Sequence, residues 1–351
     1  MTKQVKVGNI LIGGGAPISI QSMTNTDTKD VEATLKQINA LAEAGCEIVR
    51  STVPDMEAAK AFGRIKAKSP IPLVADIHFD HKLAIAAIEE GADKIRINPG
   101  NIGSEEKVRA VLEKAKAYKV PIRIGVNSGS IEKEILAKYG GVTAQGMAES
   151  ALNAVKYAES FGFEDLVVSL KSSDVSLNFE AHKLFREASE RPLHIGLTEA
   201  GVGKAAEIKS AAAMGALLLN GIGDTMRISL TGDPVREVIM AKQILKACGI
   251  RKAGIDFVSC PTCGRTRVDL PSIAQDIETR LQPISDELEK QGKFIRVAVM
   301  GCAVNGPGEG RSADYGVACG QGEGLLFKKG EIIKKVPESE IAGALIEMIR
   351  E

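Results

Sequence analysis

The feature that most constrains this chain is a recurring alternation. Short apolar runs, mostly rich in β-branched residues, are separated by stretches of helical periodicity. Eight strand candidates stand out: Ile18–Met23, Glu47–Val53, Leu73–Ile77, Lys94–Asn98, Ile122–Asn127, Leu166–Lys171, Leu193–Thr198 and Ala216–Asn220. Most begin roughly 22 to 28 residues after the previous one, the length of one strand–helix unit. The longer fifth interval holds the Gly/Ser-rich stretch NSGSIEKEILAKYGGV before its helix. In Asp30–Ala44, Val31, Leu35, Ile38 and Ala42 share one helical face, and Gly45 stands where a C-terminal cap belongs. Ser104 is placed to cap the helix after the fourth strand, with Glu105 and Glu106 in its first turn against the macrodipole. Helix, glycine and strand recur at Gly45, Gly91, Gly162 and Gly215. Eight such units in about 250 residues predict an α/β protein built on a TIM (β/α)8 barrel, with a doubly wound sheet as the alternative. Before them, Val5–Ile12 around Gly8-Asn9 predicts a hairpin able to plug the barrel floor.

A chain of 351 residues leaves room for a second domain. The eighth helix, Pro234–Ala247, ends at Cys248-Gly249, and the pattern then changes. Strand-like Ile255–Val258 leads into CPTCGRT, a helix from Pro271 to about Leu281, a strand Phe294–Val299 and the glycine-rich GCAVNGPGEG. A hairpin-like tail and a final helix, Ser339–Arg350, follow. The boundary is expected near residue 251, giving a barrel over 1–251 and a smaller α+β domain over 252–351. With 45 basic against 45 acidic residues and 4% aromatics, nothing favours nucleic acid or an anionic membrane as the main partner. No run approaches the ~20 apolar residues of a membrane helix, and the N-terminal MTKQVKVGNILIGGG lacks a signal core. A cytoplasmic protein is expected, and six cysteines are too sparse for a disulfide scaffold.

In a TIM barrel the chemistry sits at the C-terminal strand ends. There this sequence carries Arg50, Arg96 with Asn98, Arg123 with Asn127, Ser169 with Lys171, and, after the eighth strand, Arg227 with Ser229. Strand alternation puts Arg96 and Asn98 on one face, and Arg123 and Asn127 likewise. Five cations from five units therefore converge on one mouth. Isolated, each would read as a surface charge; together, in apolar strands, they call for a polyanion. The guanidinium fork binds phosphate oxygens bidentately, so a phosphorylated and indeed diphosphorylated small substrate is expected. Glu199, in HIGLTEAGVG, reads either as charge balance or as a general acid or base. Gly201-Val-Gly203 after it is explained by a turn before a helix and also offers N–H groups to phosphate. Asp76, His78 and His81 superficially resemble metal ligands, but their spacing favours a polar-mouth or structural role. His182 and His194 read as packing or solvent-facing residues.

Four of the six cysteines lie near the C-terminus. Cys260-Pro-Thr-Cys263 is a two-residue-spaced thiolate pair, and Cys302 follows another strand in a loop of glycines and Pro307. Three thiolates suit a cubane iron–sulfur cluster with one iron left free of cysteine. With Cys319 added, a closed four-cysteine zinc site is the competing reading. Cys46 and Cys248 read as small buried residues.

The segments SIQSMTNTDT, KIRINPGNIG, PIRIGVNSGS, SLKSSD, HIGLTEAG, GDTMRISL, SCPTCGRT and VMGCAVNGPGE, in this order, resemble the 4-hydroxy-3-methylbut-2-enyl diphosphate synthase family of the methylerythritol phosphate route to isoprenoids. The resemblance covers nearly the whole chain and is to the short bacterial two-domain form. It implies an oxidoreductase that converts 2-C-methylerythritol 2,4-cyclodiphosphate into a linear allylic diphosphate by two-electron reductive ring opening and loss of water. It implies a 4Fe–4S cluster fed by reduced flavodoxin or ferredoxin, with Cys260, Cys263 and Cys302 as ligands and Glu309 as the exchangeable fourth. A carboxylate is a harder, weaker ligand than thiolate, which suits exchange. It further implies that Arg50, Arg96, Arg123, Asn127, Lys171, Arg227 and Ser229 hold the diphosphate and that Glu199 donates or shuttles a proton. A head-to-tail homodimer, one copy's cluster domain closing over the other's barrel, is implied as well. Cys319 matches no ligand position of the family. The competing class is a non-redox, pterin-binding-type barrel transferase with a structural zinc in the tail.

Overall fold

Residues 1–302 and 312–351 are described by the computed structural model, apart from the side chains of Pro99 and Gly100. They form two compact units, Met1–Cys248 and Gly249–Glu351. In the first, a hairpin of β1 (Val5–Val7) and β2 (Ile10–Ile12) precedes eight parallel strands. These are β3 (Ser19–Met23), β4 (Ile48–Thr52), β5 (Leu73–Asp76), β6 (Lys94–Ile97), β7 (Ile122–Asn127), β8 (Leu166–Lys171), β9 (His194–Ile195) and β10 (Thr225–Met226). Their order is β8-β7-β6-β5-β4-β3-β10-β9, and a parallel bridge between Val168 and Leu193 joins the two ends. The barrel expected from the strand–helix repeat is thus the observed fold.

Helices α1 (Val31–Glu43), α2 (Met56–Lys66), α3 (His81–Glu89), α4 (Pro99–Ile102), α5 (Glu105–Tyr118), α6 (Lys133–Tyr139), α7 (Ala144–Ser160), α8 (Val175–Ala188), α9 (Gly203–Leu219) and α10 (Pro234–Ala247) complete this unit. Asp30, Asp55 and Asp174 cap α1, α2 and α8 by accepting hydrogen bonds from backbone N–H groups of the first turn. Ser104 stands at the start of α5 but makes no side-chain capping bond, so Glu105 and Glu106 alone complement that helix end. Alternation along the strands decides what each residue meets. Ile95, Ile97, Ile122, Ile124, Val168 and Leu170 join the core with helix residues such as Ile38 and Phe62. The alternate set, including Lys94, Arg96, Arg123, Ser169 and Lys171, points into the barrel. At its floor Val5, Val7 and Ile12 of the hairpin pack on Ile48, Val74 and Val167, sealing that end with apolar contact.

The eighth strand lies elsewhere than expected. Ala216–Asn220 is the end of α9, and the strand is Thr225–Met226. The apolar run there is alanine and leucine, good helix formers without β-branching, so length and composition both favoured helix. The turn glycine shifts with it, because Gly215 is helical whereas Gly221 takes φ +68° after the helix. Of Leu193–Thr198 only His194–Ile195 is strand.

The second unit is a five-stranded sheet of β11 (Gly254–Ser259), β12 (Phe294–Met300), β13 (Tyr315–Gly320), β14 (Glu323–Lys328) and β15 (Glu331–Pro337), in that order. The first three are parallel and the last two antiparallel additions. Helices α11 (Leu270–Lys290) and α12 (Ile341–Arg350) cover one face through Leu270, Ile277, Leu281, Ile341 and Leu345 on Val297, Val299 and Val317. Helix α11 runs nine residues beyond the expected end near Leu281. Pro283 forfeits one ladder bond, but Ile284 and Leu288 continue the apolar face and hold the extension.

Candidate functional sites: a cationic barrel mouth and a cysteine-bearing loop

At the C-terminal ends of the barrel strands lies a cavity of about 280 Å³. Its lining includes Arg50, Arg96, Arg123, Asn127, Lys171, Arg227 and Ser229, all seven residues expected to hold a diphosphate, together with Met23, Asp76, His78, Asn101, Ser130, Ser169, Leu197 and Thr198. Strand register explains the gathering. Arg96 is the Cα partner of both Asp76 on β5 and Arg123 on β7, and Asn127 is the partner of Lys171 on β8.

Two carboxylates organise these cations. Asp76 lies 3.6 Å from Arg50 Nε and 3.3 Å from Arg96 Nη1, with His78 Nε2 at 4.0 Å. Burial alone would raise its pKa; Arg50, Arg96 and Arg123 outweigh that and hold the carboxyl at about 2. Glu237, on α10, receives Arg227 through two contacts, Nε to Oε2 at 3.2 Å and Nη2 to Oε1 at 3.1 Å. It also accepts from Ser22 Oγ at 3.0 Å and from the Leu230 N–H at 3.1 Å. Met23 Sδ accepts from Arg50 Nη2 at 2.8 Å.

The cations outnumber these acids. Arg123 is 1% exposed, makes no ion pair among the described residues, and its Nε and Nη1 have no hydrogen-bond partner there; Arg96 Nε is likewise unpartnered. Burial and the neighbouring arginines push Lys171 well below lysine's usual range and lower Arg50 to about 10. Unpaired buried donors are costly, and an anion with several oxygens is the ligand that relieves them together. Two glycines make the room. A β-carbon at Gly125 would lie 2.9 Å from Arg96 Nε, and one at Gly196 would lie 3.0 Å from Lys171 Nζ.

Glu199 is not among the residues lining this cavity. It is exposed, directly follows the lining residue Thr198, and has φ +54°, a left-handed conformation unusual for a glutamate. His81 is at the start of α3, outside the cavity lining, whereas His78 contributes to it. His182 Nδ1–H donates to Asn178 O, 2.8 Å away within α8, as a packing residue does. Asp76 as an arginine clamp, Glu237 and the two glycines escaped the sequence reading. The one available signal was that Asp76 shares the inward parity of Val74 on β5.

In the second unit Cys260 follows β11 and Cys302 follows the neighbouring strand β12, so both stand at one end of adjacent parallel strands. Cys260 Sγ accepts the Gly301 N–H at 3.1 Å. The Arg265 backbone N–H and side chain draw the exposed Cys263 thiol below its usual range. Cysteine sulfurs supported by N–H donors suit soft, sulfide-rich iron. Among the described residues no three His, Cys, Asp or Glu side chains gather around one ion-sized point. Glu309 lies outside the described residues. Cys319 is fully buried in β13, its thiol pushed up to about 12 by burial, then by Glu338 and Cys260. Cys46 is likewise buried and donates to Ile48 O at 3.0 Å.

A parallel (β/α)8 barrel with a cation-lined mouth, followed by a mixed-sheet unit with cysteines at the ends of two parallel strands, is the class of protein the geometry defines. Comparison with known proteins narrows this. The GcpE TIM-barrel domain matches residues 2–242, and the GcpE protein C-terminal domain matches residues 256–351. The chain belongs to the GcpE family. It is 57% identical over 348 residues to the 4-hydroxy-3-methylbut-2-en-1-yl diphosphate synthase (flavodoxin) of Clostridium perfringens, covering 99% of this chain and 98% of that protein. The Geobacter sulfurreducens protein of the same name is 56% identical, covering 98% and 96%. Among solved structures, Yersinia pestis dihydropteroate synthase aligns at a TM-score of 0.52 with 12% identity, over 70% of this chain and 98% of that one. Phospho-2-dehydro-3-deoxyheptonate aldolase from Thermotoga maritima aligns at 0.51 with 16% identity, over 71% and 74%. These two likenesses show the barrel fold alone.

Proposed function

We propose that this chain is an iron–sulfur oxidoreductase that opens 2-C-methyl-D-erythritol 2,4-cyclodiphosphate to 4-hydroxy-3-methylbut-2-enyl diphosphate, with two electrons from flavodoxin or ferredoxin and loss of water. The observation that carries this reading is the surplus of buried guanidinium donors at the barrel mouth, in a chain 57% identical to a protein named for that diphosphate product. Arg50, Arg96, Arg123, Lys171 and Arg227 bind the phosphoryl oxygens, and Asn127 and Ser229 complete their hydrogen bonding. Asp76 and Glu237 keep the arginines in place, which moves the ordering cost from the moment of binding to folding. Glu199 holds the proton needed as oxygen leaves; its left-handed backbone beside Thr198 supports a position set by function. A 4Fe–4S cluster on Cys260, Cys263, Cys302 and Glu309 would supply the electrons. Cys319, Cys46 and Cys248 stay out of the chemistry.

We read the working form as a cytoplasmic, head-to-tail homodimer in which one copy's second unit meets the partner's barrel mouth. Phe79, 72% exposed beside the lining residue His78, offers an apolar contact there. The pterin-type transferase reading rests on barrel likeness alone and is not favoured. Metal analysis tests the proposal. Anaerobically purified protein is expected to be brown with about four irons per chain, the cubane stoichiometry. A colourless protein carrying one zinc per chain would overturn it.

A further inference from the structure

Beneath the cation ring, the barrel interior is polar where such interiors are usually filled by branched apolar side chains. Lys94 sits two residues before Arg96 on the inward side of β6, roughly 7 Å deeper. It is fully buried and reaches across the barrel to β3, where its Nζ lies 3.5 Å from Gln21 Oε1. Among the described residues no carboxylate pairs with it. The charged groups facing it are Arg123 on β7 and Arg50 on β4, both cations. Asp76, the carboxylate lining the cavity, is committed to Arg50 and Arg96. Of the remaining strands, β9 brings His194 near Lys94. Ser19 on β3, Thr225 on β10 and His194 on β9 are register neighbours, buried, and without hydrogen-bond partners at Ser19 Oγ, Thr225 Oγ1 and both ring nitrogens of His194. Lys171 on β8 stands above, at the cavity, and shares the same cationic surroundings.

An ammonium this deep, among cations and without an acid, is disfavoured, and the group is expected to stay neutral instead. Burial, then Arg123 and Arg50, push the Lys94 amine far below its usual range. A doubly charged anion entering the cavity reverses the sign of the local field. We propose that Lys94 is a buried counter-charge for the bound diphosphate: neutral in the free barrel, it takes up one solvent proton when the ligand enters and returns it on release. The inference rests on the cyclic-diphosphate reading above and adds to it a positioning residue beneath the site. Only a proton moves, from solvent to Nζ, and affinity consequently falls as pH rises.

The test counts that proton. The cyclic diphosphate is titrated calorimetrically into oxidised holoenzyme without reductant, at pH about 8, in two buffers of different ionisation enthalpy. Each phosphoryl group of this ligand carries a single strongly acidic hydroxyl, so the ligand itself does not titrate there. Wild type is expected to take up about one proton or more per ligand, with affinity falling up to tenfold per pH unit. Lys94→Met, similar in size and apolar, is expected to lose about one of these protons and to flatten the pH slope. Binding without uptake, or the same count in Lys94→Met, overturns the assignment. Should Lys94→Met fail to fold, Lys94→Gln and the wild-type slope decide in the same way. A complete absence of binding would overturn the cyclic-diphosphate reading, and the inference with it.

Discussion

Arg96 lies across the bare backbone of Gly125: its Nε is 2.9 Å from the position a β-carbon on that glycine would occupy. The strand thus gives up a side chain so that its neighbour's guanidinium can enter the mouth. Gly125 has no left-handed backbone angle, so alanine there keeps the fold and displaces only Arg96. Gly125→Ala is expected to weaken calorimetric binding of the cyclic diphosphate about tenfold, the worth of one charge-assisted hydrogen bond. Unchanged affinity would argue against Arg96 as a ligand contact.

Asp76 carries two guanidinium groups, so its removal is felt first in stability. Asp76→Asn is expected to cost about 3 kcal/mol in urea denaturation, because it strands buried cations. Saturating cyclic diphosphate should restore more stability to the variant than to wild type. The pH dependence follows the same group. Its folded carboxyl sits at about 2, below the unfolded value near 4, so its contribution is present above pH about 4 and is lost as pH falls through 2.

His182 works in the opposite charge sense. Burial, opposed only by its contact with Asn178, lowers it to about 4, and it folds neutral. The unfolded chain protonates from pH about 6.5 downward, so stability is complete above that value and drains away between 6.5 and 4, by up to about 3 kcal/mol. His194, lowered in the same direction, adds to the loss. Denaturation midpoints at pH about 7 and about 5 should differ, and His182→Gln should narrow the difference.

The cysteines separate by substitution. Cys302→Ser is expected to lower iron content and abolish turnover, whereas Cys319→Ala should keep both. Iron lost equally from the two variants would favour four cysteines around one centre.

Much of this was legible in the residues, and the gaps have physical reasons. Strands such as Ile122–Asn127 announce themselves because β-branched residues alternate with the functional ones. Thr225–Met226 did not, since a strand of two residues carries no period and the adjacent Ala/Leu run imitates one. The cations were visible because arginine in an apolar strand is conspicuous. Their partners were not: Glu237 approaches Arg227 from a helix, and nothing in its local sequence separates it from a surface glutamate. Gly125 and Gly196 read as ordinary strand glycines until the side chains filling their space are seen.

The cationic mouth and the cysteine loop are expected to serve one reductive reaction. This is tested most directly by incubating anaerobic, iron-loaded protein with reduced flavodoxin and the cyclic diphosphate and following phosphorus NMR. The cyclic diphosphate is expected to be consumed and a linear allylic diphosphate to appear in its place. Fully iron-loaded protein that leaves the cyclic diphosphate intact while the flavodoxin stays reduced would contradict it.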